Sequence, residues 1–99
     1  MLEYVGVSGI DDRILLVPLS SSFVVGWQYS LMQDVNGKIH DVLINVVSEE
    51  VLRRGFSTKY RGEALYDGLI YNYEATIRKD AKEFVLCDQH EEWFYPPAN

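Results

Sequence analysis

The sequence predicts an α+β fold: a four-stranded, mostly antiparallel β-meander, then one short and one long C-terminal helix packed on one sheet face. Three observations carry that expectation. Asn36-Gly37 lies between two apolar-rich runs, as a two-residue hairpin turn does. At Ser48 the alternating pattern gives way to a helix-cap signal. From Leu65 to Phe84 apolar residues recur at helical spacing, so strands come first and helices last, the order of an α+β chain.

Residues 2 to 7 and 13 to 19 read as strands, joined by the polar turn Ser8-Gly9-Ile10-Asp11-Asp12. Pro18 lacks a ladder donor and belongs at a strand end or on an edge. Residues 23 to 34 and 38 to 47 are the third and fourth strands. A type I′ turn at Asn36-Gly37 sets Val35 opposite Lys38, and outward from there pairs Leu31 with Val42, Tyr29 with Ile44 and Trp27 with Val46. That row is the expected core face. The other row pairs Met32 with Asp41, Ser30 with Leu43 and Gln28 with Asn45, a half-polar face left for water, a partner or another copy. Gly26 marks a candidate bulge within the third strand.

Ser48 suits an N-cap, Glu49 and Glu50 the positive end of a helix dipole, Arg53 and Arg54 the negative end, and Gly55 the position after it, which predicts a helix over about 49 to 54. A second helix is expected over about 63 to 86, where Leu65, Leu69, Tyr73, Ile77 and Ala81 fall four apart, Phe84 follows, and Tyr66 and Ile70 widen the stripe. Within it Gly68 is the weak position, costing about 1 kcal/mol relative to Ala. Residues 87 to 99 form a tail that Pro96 and Pro97 end.

With 99 residues, 47% of them hydrophobic and 24% charged, the chain is expected to be one domain spanning 1 to 99. Its longest apolar run, Ile14 to Val17, is far too short for a membrane-spanning helix, and Met1-Leu2-Glu3-Tyr4 does not resemble a signal peptide, so a cytoplasmic setting and no membrane partner are expected. The lone Cys87 forms no internal disulfide, in keeping with a reducing compartment. The net charge of −6 argues against a broad phosphate-binding surface, yet residues 53 to 61 hold four bases and no acid. That segment offers Arg53, Arg54, Lys59 and Arg61 to phosphate, with Tyr60 or Phe56 to stack on a base. Read without a ligand, it is a solvated connection with two helix-end arginines.

No sequence motif for catalysis is present: no phosphate-binding glycine loop, no nucleophile elbow and no His-Glu-x-x-His. Cys87, Asp88, His90, Glu91 and Glu92 concentrate metal-ligand types, but one Cys and two His fall short of a structural zinc set, and neither metal nor cofactor is expected. Catalysis by Cys87 would need His90 in register with it, and a lone Cys is more often a small hydrophobe. His40 and Asp41 are adjacent in a strand and point apart, so they form no dyad.

Seven tyrosines, two tryptophans and four phenylalanines in so short a chain leave some for a surface. Met32, Asp41, Leu43, Tyr71, Trp93, Phe94 and Tyr95 are the candidate interface residues, for a protein partner or for self-association as a homodimer. From Gly37, the order Gly-Lys-Ile, Leu43-Ile44, Ser48-Glu-Glu-Val-Leu, then Asn72-Tyr-Glu-Ala, Ile77-Arg, Ala81 and Phe84 resembles a family of small bacterial α+β proteins of unknown function, some labelled transcriptional regulators. The resemblance spans residues 37 to 86 and brings no functional residues with it. The expected function is therefore non-enzymatic protein binding or regulation. Alternatives are a nucleic-acid-binding regulator using residues 53 to 61, and a viral or plasmid accessory protein that occupies a host's basic site with Asp11-Asp12, Glu49-Glu50 and Glu91-Glu92. A dispersed enzyme site, built on Cys87, His90 or His40 with carboxylates, is the third.

Overall fold

The computed structural model describes residues 13–52 and 57–93, and in it they form six antiparallel strands closed into an up-and-down barrel. The strands are β1 (Ile14–Pro18), β2 (Gly26–Gln33), β3 (Ile39–Leu52), β4 (Ser57–Tyr66), β5 (Leu69–Arg78) and β6 (Lys82–His90), with β6 returning to pair with β1. No helix occurs among the described residues. The expected α+β class is thus overturned: β3 runs through residues 49 to 52 of the expected short helix, and β4, β5 and β6 occupy its long one. The expected strand over 2 to 7 lies outside the described residues.

The long-helix expectation fails for a definite reason. A spacing of four satisfies a period of two as well as a period near 3.6, so Leu69, Tyr73 and Ile77 fit either element. The intervening residues decide it. Over Tyr71 to Arg78 the sequence Tyr-Asn-Tyr-Glu-Ala-Thr-Ile-Arg alternates strictly, and Tyr71, Tyr73, Ala75 and Ile77 are buried while Asn72, Glu74, Thr76 and Arg78 are not. Gly68 belongs to a turn: Tyr66 pairs with Leu69 across Asp67-Gly68, whose φ values of 51° and 79° are those of a type I′ hairpin. Among the described residues the two-residue primed turn is Asp67-Gly68, not Asn36-Gly37.

At Asn36-Gly37 the loop is one residue longer than expected. Gln33 pairs with Ile39, the Asp34 amide donates to the Lys38 carbonyl, and the Gly37 amide donates to the Asp34 carbonyl, each at 2.9 Å. Val35, Asn36 and Gly37 therefore form a three-residue loop. Asp34 dictates it, because its Oδ1 accepts from the Asn36 and Lys38 amides at 2.8 and 2.9 Å. The extra residue slips the register by one, so Met32 faces His40, Gln28 faces Ile44 and Gly26 faces Val46. Val42, Ile44 and Val46 stay in the core, whereas Trp27, Tyr29 and Leu31 turn outward. Gly26 opens β2 rather than bulging it; the bulge is at Val47, between the pairs Val46–Gly62 and Ser48–Arg61.

Large and small residues alternate across the barrel interior. Tyr73 lies opposite Gly62, Tyr71 opposite Ala64, and Ala75 between Tyr60 and Phe84. A Cβ on Gly62 would fall on the Asn45 carbonyl oxygen and come within 3.1 Å of the Tyr73 ring, so this position admits no side chain. Phe23, from the β1–β2 connection, closes one end by stacking on Tyr60 at 4.9 Å. Tyr66 and His40, with ring centroids 4.9 Å apart, close the other. The chain after β6 crosses the outer surface: His90 lies beside Glu63 of β4, and Trp93 packs edge-on against Trp27 of β2 at 4.6 Å. This crossing accounts for two outward polar residues, Glu63 and Asn45, being buried.

One substitution separates this fold from the helical alternative, and a second tests the barrel interior. Gly68→Ala should destabilise by about 1 kcal/mol or more in urea unfolding, because Ala is strained at that positive φ; a helix would gain a similar amount. Tyr73→Phe should leave stability unchanged or raise it by up to about 1 kcal/mol, because the Tyr73 hydroxyl is buried without a hydrogen-bond partner among the described residues. A loss above that size would show that the hydroxyl is satisfied.

Candidate interaction surface

The slipped register has its main consequence on the outside of β1 and β2. Along β1 the outward residues are Leu15 and Val17, with Leu19 next; along β2 they are Trp27, Tyr29 and Leu31. All six are exposed, as are Val24 and Val25 in the connection, and Tyr29 is 68% accessible. The Leu19 amide donates to the Leu31 carbonyl, so the two rows meet at that pair and continue as one stripe, with Leu15 and Val17 to one side of it and Tyr29 and Trp27 to the other. In the sequence the signature is a charge-free run: residues 14 to 33 contain no Asp, Glu, Lys, Arg or His. Two of the six strands and their connection carry no formal charge in a chain that is 24% charged. A patch of this kind marks an interaction site more often than an ordinary surface.

The expected interface residues scatter. Met32 and Tyr71 are buried inside the barrel, Leu43 is half-buried on the outside beside Tyr29, and Asp41 is exposed beside Leu31. Trp93 is half-buried against Trp27, and Phe94 and Tyr95 lie outside the described residues. Of the set, Asp41, Leu43 and Trp93 border the apolar patch. The patch residues themselves went unrecognised because the two-residue turn placed Trp27, Tyr29 and Leu31 under a helix. The uncharged run was the signal that would have exposed them.

The basic segment also resolves differently from its sequence pattern. Arg53, Arg54 and Phe56 lie outside the described residues, and Tyr60 is buried under Phe23. Arg61 is held by Glu74 at 3.1 Å and Glu50 at 3.7 Å, and Lys59 reaches Glu74 at 4.0 Å. These outward pairs join β3, β4 and β5, so two of the four bases already face carboxylates. Exposed pairs of this sort contribute little to stability. Asp11-Asp12 lies outside the described residues, and the other two acidic groups do not merge: Glu49 and Glu50 lie on β3 toward one end of the barrel, and Glu91 and Glu92 follow β6 at the other.

Comparison with protein-family models, curated proteins and solved structures returns no match. The resemblance of residues 37 to 86 to small bacterial proteins stays one of sequence pattern, and the α+β domain it implies is not the fold observed.

Titratable groups gather in two other places. An open groove of about 850 Å³ on the outer surface includes Arg13, Arg61, Glu74, Cys87 and Asp88. Burial pushes the Cys87 thiol up, and Asp88 beside it acts in the same direction, the reverse of what a nucleophilic thiolate needs. The His90 Nδ1–H donates to the Glu92 carbonyl at 2.6 Å, and its Nε2 lies 3.5 Å from Glu63. At the barrel end, His40 Nε2 donates to Asp34 Oδ2 at 2.8 Å, with Tyr66 Oη 3.5 Å away and Asp67 4.0 Å from Nδ1. The partner of His40 is therefore Asp34, six residues back across the hairpin, and Asp41 faces the other way as expected. With its backbone amides and His40 all bonded to one carboxylate, this cluster is built to hold the β2–β3 loop. Among the described residues no three His, Cys, Asp or Glu side chains converge as a metal set.

The hydrogen bond from His40, then those from the Lys38 and Asn36 amides, hold the Asp34 carboxyl below the usual carboxylate range. A depressed folded-state value means that Asp34 contributes stability above its unfolded pKa of about 3.9, and that this is lost as pH falls through the folded value. The melting temperature of the wild type should therefore fall more steeply below about pH 4 than that of Asp34→Asn. Parallel curves for the two proteins would remove Asp34 from the account.

Proposed function

We propose that this protein is a non-enzymatic binding module that works through the outer face of β1 and β2. The observation that carries the proposal is the uncharged run 14 to 33, whose outward side chains stay apolar and exposed after the barrel has filled its interior. A fold that needs those residues for its core would have buried them. Interfaces are distinguished by charge depletion at their centres and by aromatic anchors, and Trp27 and Tyr29 supply the anchors. The ion pairs of Lys59 and Arg61 and the net charge of −6 weigh against nucleic acid as the partner. A raised Cys87 thiol and the separation of Cys87 from the His40 cluster at the barrel end weigh against a hydrolytic site. No helix of the described residues is long and apolar enough to cross a membrane. A cytoplasmic setting belongs to the proposal, and the free thiol of Cys87 suits it.

A photo-activated cross-linking residue at position 29, with a control at position 74 on the opposite wall, tests the assignment in the native host. Adducts should form from position 29 and be few from position 74. Equal adducts from both, or none from position 29, would refute it.

A further inference from the structure

We infer that the occupant of the β1–β2 face is a second copy of this chain, in a two-fold dimer. This rests on the assignment of that face as a binding surface and names its partner. Extent supports it: eight outward apolar residues, each 41% to 68% accessible, form a stripe on the order of one partner's share of a standard-size interface, about 800 Å². Charge supports it too. The net −6 comes entirely from residues outside 14 to 33, so two copies repel over most of their surface and meet with the least like-charge cost along the stripe, whose Leu19 edge is bordered by Lys82, donating to the Leu19 carbonyl at 3.2 Å. A two-fold axis sets the same patch against itself, and an apolar patch is complementary to its own copy where a charged one is not. The seam it would cover is the weakest in the barrel. β1 and β2 share two ladder pairs, Val17–Gln33 and Pro18–Met32, against eight between β2 and β3, so among the described residues Gly26 to Ser30 ladder only to β3. An edge left this way presents backbone groups on which another chain can pair. Trp93, already seated on Trp27, would lie at the rim of the contact.

Sedimentation equilibrium of the full chain tests this. Wild type at about 100 μM, where a standard-size apolar contact is populated, should weigh twice the chain mass of 11.4 kDa. Leu31→Lys places like charges against each other and should be monomeric, while Glu74→Lys on the opposite wall should remain dimeric. Leu31→Ser removes apolar area without adding charge, and should weaken the dimer about tenfold; it decides the matter if the lysine variant does not fold. A monomeric wild type overturns the dimer, as does a dimer that both Leu31 variants leave unchanged. If the wild type is monomeric but position 29 still cross-links a different protein, the self-pairing fails and the binding face survives. If position 29 gives no adduct at all, both fail.

Discussion

The pairing of aromatic rings with residues too small to oppose them is the constraint on which the rest of this barrel depends. Six strands enclose little space, so the interior is filled by side chains and each large ring needs a gap across from it. Gly62, Ala64 and Ala75 provide those gaps on β4 and β5, and Tyr73, Tyr71, Tyr60 and Phe84 occupy them. Gly62 is the tightest point. There the β3 backbone at Asn45 comes in so close that no side chain fits, and two residues further on, at Val47, the β3–β4 ladder bulges. Close approach and bulge are parts of one adjustment, in which β3 bends over the position vacated by a side chain.

From that packing follows the division of labour between the walls. β3 to β6 contribute most of the buried side chains, and their outer faces carry charges tied across strands, as in the Glu50–Arg61–Glu74 chain. β1 and β2 contribute Leu16, Pro18 and Met32 to the interior and present apolar residues on the outside as well. β1 is apolar on both faces, the pattern of elements buried on both sides, whereas β2 turns Gln28, Ser30 and Met32 inward and its apolar row outward. In β1 and β2 the second side is the open one, and that asymmetry, more than any titratable cluster, gives the molecule its functional direction.

How much of this was legible in the sequence varied with how many periods a segment could satisfy. The hairpin signal of residues 26 to 47, the end of β1 at Pro18 and the core positions Val42, Ile44 and Val46 were readable because alternation there had no helical competitor. Residues 65 to 84 satisfy both periods at every fourth position, and Asp67-Gly68, a stronger hairpin signal than Asn36-Gly37, falls inside that helical pattern. Loop length at Asn36-Gly37 depended on Asp34, a residue outside the dipeptide whose side chain binds two loop amides. The interface residues were then misplaced by that single slip, since in a strand every one-residue error moves a side chain through the sheet.

The same slip explains why Trp27, Tyr29 and Leu31 are informative as exposed residues. Had β2 kept the two-residue turn, these three would have entered the barrel and Gln28, Ser30 and Met32 would have faced out, leaving β2 a half-polar outer surface. Instead the Asp34-bonded loop sends the smaller, more polar row inward, where Gln28 and Ser30 are half-buried, and keeps the larger apolar row outside. An interior already crowded by six aromatic rings favours the smaller row over the larger one. The outer surface of β2 is thus a product of the core's volume limit, and its apolar character is what an interaction with another protein surface requires.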